Sequence, residues 1–254
     1  MKNYRELDKM EGSSGEAAKV CAEGIGGQDR MEISNRLIKH YLRNVLFING
    51  TAYAGKSTMA KMLADKYGLL HCGENYNCIP EGIVTPEKYP NLSYFQTKKD
   101  WQEFFSRTPE EYDNWIQGNT RELIEFEITY LMTVAASGRV IVDTNLPVNV
   151  LHEIADYNHV AIMLASPSMS VENFFNRDDD KPWMLDQIKK MDDPQKGMSN
   201  FRAVLERINR QEYYDGWVNS GFFTIVRKDV TSDTRLVTMD TLAKHFGLKE
   251  EYLL

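Results

Sequence analysis

Apolar residues along this chain come in two rhythms. Val45–Asn49, Arg139–Asp143, His159–Leu164 and Phe222–Val226 are short runs bounded by Gly, Asp or turn residues. They are too short for helices and read as strands of a parallel sheet, whose burial on both faces gives continuous apolar runs. Leu69–Cys72 predicts one more buried strand, ending at Gly73-Glu74-Asn75. Between these runs the apolar positions fall at helical spacing. Met59, Met62, Leu63 and Tyr67 predict a helix stopped by Gly68, and Met31–Leu42 a helix leading into the first strand. Trp101, Phe104 and Phe105 sit at helical spacing, and Thr108-Pro109-Glu110-Glu111 opens a helix with acidic first-turn residues. Tyr112, Trp115, Leu123, Phe126, Leu131 and Val134 then trace one long helix, or two with a break near Gly118. Further helices are expected over Val148–Tyr157, from about Ser168, over Phe201–Trp217 and over Leu236–Phe246.

Strands alternating with helices define an α/β chain with a five-stranded parallel sheet. Residues 1–30 lack a sustained apolar period and are broken by Gly12-Ser13-Ser14-Gly15 and Gly24-Ile25-Gly26-Gly27, so they read as a flexible N-terminal extension or a docking arm. Residues 31–254 form the domain. An insertion of about 75–137 is rich in aromatic residues, which serve either as core or as a substrate cage. The charge-dense stretch at about 176–197 reads either as a solvated loop or as a mobile lid.

The linker after the first strand carries the chemistry. Gly50-Thr51-Ala52-Tyr53-Ala54-Gly55-Lys56-Ser57 matches G-x-x-x-x-G-K-[ST] at every fixed position, between a strand and a helix, with Thr58 next in the helix. Gly50 and Gly55 let the backbone curl so that successive N–H groups face phosphate oxygens, and the helix start adds its positive dipole end. Lys56 can reach the β- and γ-phosphates and Ser57 can ligate Mg²⁺. Asp143 ends an apolar strand in the Walker-B manner, where it would steer the metal, with Thr144 and Asn145 following. Glu74, at another strand end, can accept an acceptor's proton, hold Mg²⁺ through water, or be an exposed loop carboxylate. Arg177 in the charged stretch can offer a cation to a transferred group. Arg202 and Arg210 read as surface arginines or as the rest of a phosphate clamp.

Composition narrows the setting. A net charge of −7 argues against a broad nucleic-acid-binding surface. Three cysteines, Cys21, Cys72 and Cys78, give neither a disulfide framework nor a zinc set, and a reducing cytoplasm is the expected compartment. The charged N-terminus and the lack of any run near 18 apolar residues predict neither a signal peptide nor a membrane span.

Over about Val45–Gly247, the Gly50–Ser57 loop, the Asp143 strand end and the charged segment holding Arg177 together resemble the nucleotide-kinase-like branch of P-loop proteins, which includes adenylate, shikimate and nucleoside kinases. That resemblance implies a three-layer sandwich with strand order 2-3-1-4-5, an acceptor-binding helical insertion and a lid. It also implies that Lys56 and Ser57 bind the phosphates of ATP and Mg²⁺, that Asp143 supports the metal, and that Arg177 acts as a lid arginine. The chain departs from the Asp-x-Asp of shikimate kinases, with Gly73-Glu74-Asn75 in its place. It also departs from the Asp-Arg-Tyr or Glu-Arg-Ser of thymidylate and deoxynucleoside kinases, with Asp143-Thr144-Asn145 instead. The expected activity is transfer of the γ-phosphoryl group of ATP·Mg²⁺ to a hydroxyl or phosphate on a small molecule, nucleosides and nucleotides included. The alternative is a nucleotide-binding ATPase or regulatory module that signals to a partner.

Overall fold

A computed structural model describes residues 32–73, 76–176, 181–227 and 233–249. Glu74, Arg177 and the expected extension over 1–30 lie outside the described residues. Five strands, β1 (Val45–Gly50), β2 (Leu70–Cys72), β3 (Val140–Asp143), β4 (Val160–Leu164) and β5 (Phe223–Val226), form one parallel sheet in the order β2-β3-β1-β4-β5. The chain is therefore α/β, with the glycine loop leaving the central strand.

The helices are α1 (Asn35–Tyr41), α2 (Lys56–Tyr67), α3 (Tyr94–Thr97), α4 (Trp101–Ser106), α5 (Pro109–Ala135), α6 (Val148–Ile154), α7 (Pro167–Glu172), α8 (Lys181–Lys189), α9 (Pro194–Ile208), α10 (Gln211–Val218) and α11 (Arg235–His245). They cover both faces of the sheet. Val45, Phe47, Val140, Val142, Val160 and Ile162 pack with Leu131 of α5 and Leu151 of α6. Leu46, Ile48, Ile141, Ala161 and Met163 pack with Leu63 of α2 and Leu242 of α11. Alternate residues of each strand serve opposite cores, as a pleated strand requires.

Edge position overturns one expectation. Leu69–Cys72 reads as a buried strand, yet among the described residues β2 pairs only with β3, and Leu70 is 41% exposed. A three-residue strand at a sheet margin has no second neighbour to cover it. His71 on the same strand is exposed.

The insertion centres on α5. The Thr108 hydroxyl accepts from the Glu111 backbone N–H at 3.2 Å while the Glu111 carboxylate accepts from the Thr108 N–H at 2.8 Å, a reciprocal cap that starts the helix. It runs unbroken through Gly118, where an added Cβ would fall 2.4 Å from the Asn91 side chain. This glycine serves close packing. The first half of α5 joins a third core with Phe104, Phe105, Met184, Ile188, Phe201 and Leu205. Part of the charge-dense stretch is thus the helix α8, buried through Met184 and Ile188, and it shares its core with the insertion. The helix expected over Phe201–Trp217 is two, α9 and α10, separated at Asn209-Arg210. Most of the aromatic residues of the insertion serve as core, packed ring to ring at centroid distances such as 5.0 Å for Phe104–Phe105 and 5.4 Å for Phe105–Phe201. Among the described residues, no helix is long and apolar enough to cross a membrane.

Candidate functional site

The carboxyl ends of β1, β3 and β4 meet where the strand order reverses, the place where open α/β sheets bind ligands. Gly50 ends β1 with φ 128°, and a Cβ there would lie 1.9 Å from the Met163 carbonyl oxygen of β4. Only glycine lets the two strands approach at this point. Gly55 has φ 89° and directly precedes α2, and Tyr53 adopts φ 66°, a conformation bulky side chains rarely take.

The loop is braced from outside. Thr51 donates its N–H to the Met163 carbonyl at 3.0 Å, and its hydroxyl accepts from the Ala165 N–H at 2.7 Å. Ser170 of α7 donates to the Ala52 carbonyl at 2.9 Å, and Arg227 Nη1 to the Tyr53 carbonyl at 2.7 Å. Because a trans peptide sets C=O and the next N–H in opposite directions, these bonds turn the N–H groups of Tyr53 and Ala54 away from Ser170 and Arg227. Among the described residues, no protein acceptor takes the backbone N–H groups of Tyr53–Ser57. Such a run, opening a 12-residue helix, is a cradle for an anion with several oxygens.

Lys56 is 8% exposed and donates from Nζ to the Thr51 carbonyl at 3.2 Å, so its ammonium group sits across the loop. The Ser57 hydroxyl donates to Asp143 Oδ2 at 2.5 Å, and Asp143 is 3% exposed. The pairing follows from strand register, since Ile48 lies beside Asp143 across β1 and β3. A hydroxyl and a buried carboxylate in contact beside an anion cradle suit a hard divalent cation. Among the described residues no three His, Cys, Asp or Glu side chains converge on one point, so such an ion would draw its other ligands from phosphate oxygens and water.

Among the described residues, three clefts border the loop. One of about 360 Å³ is lined by Gly50, Ala52, Tyr53, Gly55, Lys56, Ser57, Thr58, Asn145 and Arg227. A second, of about 610 Å³, runs between α2, β5 and α11, is walled by Met59, Met163, Ile225, Val226 and Val237, and shares Gly55, Thr58 and Arg227 with the first. A third, of about 600 Å³, lies between α5, α9, α10 and the loop after β3, and shares Gly50, Ala52 and Asn145 with the first. Lys56, Ser57 and Asp143 are thus brought together. Arg202 is exposed and pairs with Glu206 at 3.5 Å, outside these clefts.

Two residues at this site escaped the sequence reading. Arg227 follows β5 and borders two clefts; a cation at a strand's carboxyl end was its only signal. Glu127 of α5 is 4% exposed, and Thr144, the residue after Asp143, donates its hydroxyl to it. Its signal was a carboxylate on the buried helical face formed by Ile124, Leu131 and Ala135.

Burial pushes the Glu127 carboxyl up to about 7; the Thr144 and Tyr76 hydroxyls pull the other way, and the Asp143 charge adds to the rise. Cys72 and Cys78 lie in the same region, and burial raises both thiols, Cys72 to about 11, so they stay protonated at neutral pH. An unfolded glutamate ionises near 4.5, so from there to about 7 the folded chain holds the extra proton and loses stability as pH rises. Above pH 7 the cost is complete at about 3 kcal/mol, because each tenfold change in proton affinity is worth about 1.4 kcal/mol. Glu127→Gln, whose amide oxygen can still accept from Thr144, is expected to exceed wild type in stability by about that amount at pH 8 and by little at pH 5. Chemical denaturation at the two pH values measures the difference, and an equal gap at both would contradict the assignment.

Comparison with protein-family models and with curated protein sequences gives no match to this chain.

Proposed function

We propose that the chain is a P-loop nucleoside-triphosphate-binding sandwich. Within that class we read it as a small-molecule kinase that uses ATP and Mg²⁺. The N–H cradle of Tyr53–Ser57 and the Lys56 ammonium suit a triphosphate, with Ser57 and Asp143 as the residues that would hold Mg²⁺. When bound, Mg²⁺ supplies charge neutralisation across the phosphate oxygens. The apolar cleft between α2, β5 and α11 suits the base of the nucleotide, with Arg227 at its junction with the loop.

The observation that carries the kinase reading is the third cleft. It opens onto the loop through Gly50, Ala52 and Asn145, so a second molecule can be held against the terminal phosphoryl group. Phosphoryl transfer depends chiefly on such positioning and on charge stabilisation. Asp113 forms part of that cleft. Its burial alone would raise the carboxyl, but hydrogen bonds from Arg210, Tyr213 and Arg207 hold it below the usual carboxylate range. These bonds tie α5 to α9 and α10 and keep the wall of the cleft in place.

Binding is tested by melting. A ligand at a hundred times its Kd stabilises the native state by about 2.7 kcal/mol, which for a domain of this size raises Tm by about 5–10 °C. ATP with Mg²⁺ is expected to give that rise. No change of Tm at millimolar nucleotide would contradict the reading.

A further inference from the structure

The third cleft constrains the charge of what it takes. Among the described residues its walls carry one cation, Arg210, against two carboxylates, Asp113 and Glu212. Arg207, which is not on the wall but pairs with Asp113 at 3.1 Å, brings the local balance only to zero. Arg210 is also engaged: Nη1 donates to Asp113 Oδ2 at 2.7 Å and to the Arg207 carbonyl at 3.1 Å. Its Nε lies 3.9 Å from Glu212, and its guanidinium stacks 3.7 Å from the Tyr213 ring centre. Asp113 is 3% exposed, and its second oxygen accepts from the Tyr213 hydroxyl at 2.9 Å. A phosphate or carboxylate entering here would meet no uncommitted cation among the described residues, and it would face Glu212.

The rest of the described wall is uncharged and rich in aromatic residues. Trp115, Tyr213, Tyr214 and Trp217 are among the residues that line it. Gln117, Asn119 and Thr120 line the same cleft, and among the described residues none of their side chains has a protein hydrogen-bond partner. Amide side chains present a donor and an acceptor together, and aromatic faces stack on planar rings. Asn145, shared with the loop cleft, stands where the two pockets join.

We infer that the acceptor is an uncharged, ring-bearing alcohol, with a nucleoside or a sugar as the two sources of that chemistry, rather than a nucleotide or a hydroxy acid. This rests on the kinase reading. In the transfer the acceptor's hydroxyl oxygen bonds to the γ-phosphorus of ATP, and the bond from that phosphorus to the β–γ bridging oxygen breaks. The electron pair leaves on ADP, and the hydroxyl proton is released to solvent.

The test supplies the full chain with ATP·Mg²⁺ and, separately, nucleosides, free hexoses, nucleoside monophosphates, hexose phosphates and small hydroxy acids. Phosphorylated product and ADP are both measured. A nucleoside or a sugar is expected to be phosphorylated, with its phosphate-bearing counterpart at least about tenfold slower, and the faster neutral arm identifies the source. A monophosphate or acid that outpaces every neutral compound overturns the inference and leaves the kinase standing. ADP formed with no phosphorylated organic product overturns the kinase reading itself. Glu212→Gln, on an exposed side chain, is expected to shift the preference toward the phosphate-bearing counterpart by about two- to fivefold, and Asp113→Asn by more. If Asp113→Asn does not fold, Glu212→Gln alone decides, and an unchanged ratio there contradicts the charge argument.

Discussion

Lys56→Ala is expected to lower turnover of ATP by about a hundred- to a thousandfold, the scale for losing one preorganised charge donor from a phosphoryl-transfer site. The side chain is nearly buried, and its ammonium group lies against the Thr51 carbonyl of the loop it closes. A triphosphate would exchange that carbonyl for phosphate oxygens, a stronger charge-assisted contact. The lysine is one of several supports of the loop's conformation. Gly50 and Gly55 set its backbone, and Thr51, Ser170 and Arg227 brace it. The variant should therefore fold, with circular dichroism and cooperative melting like wild type, while steady-state kinetics report the loss. Undiminished turnover in a folded Lys56→Ala protein would remove the loop from the chemistry.

Asp143→Asn carries the second large effect. The amide oxygen can still accept from Ser57, so the strand end keeps its hydrogen bond, but the negative charge that would face the proposed Mg²⁺ is gone. The Mg²⁺ concentration for half-maximal activity is expected to rise at least about tenfold, and kcat to fall about a hundredfold or more. The two losses should differ in kind from those of Lys56→Ala, because excess Mg²⁺ recovers part of the activity only in the aspartate variant. The same change should ease the Glu127 carboxyl downward, since the Asp143 charge is one of the causes that raises it. A magnesium titration of both variants separates the roles. An unshifted requirement in Asp143→Asn would place this carboxylate outside the metal site.

Much of this site was legible in the sequence because it depends on local chemistry. Gly50, Gly55, Lys56 and Ser57 stand close together in one turn, and Asp143 closes an apolar strand whose register sets it beside β1. The strands themselves were legible where both faces are buried. Leu70 and His71 misled because a short edge strand has the same apolar start as a central one. The charged stretch hid α8, since Met184 and Ile188 are sparse among lysines and aspartates and reveal a helix only against Phe201 and Leu205. Glu127 and Arg227 depend on tertiary approach. One needs the far end of a long helix to pass behind β3, the other needs β5 to end beside the loop. The third cleft was the least legible, because its walls come from α5, α9 and α10, which meet through the buried Asp113.

Whether this site transfers phosphoryl groups is decided by following the γ-phosphate itself. The full chain is incubated with Mg²⁺ and ATP labelled at the γ-phosphate, together with the neutral acceptors, and the label is traced into products. Label is expected in a phosphorylated small molecule, formed in step with ADP and lost in Lys56→Ala. Label found only in inorganic phosphate, or retained in ATP, would contradict the kinase assignment.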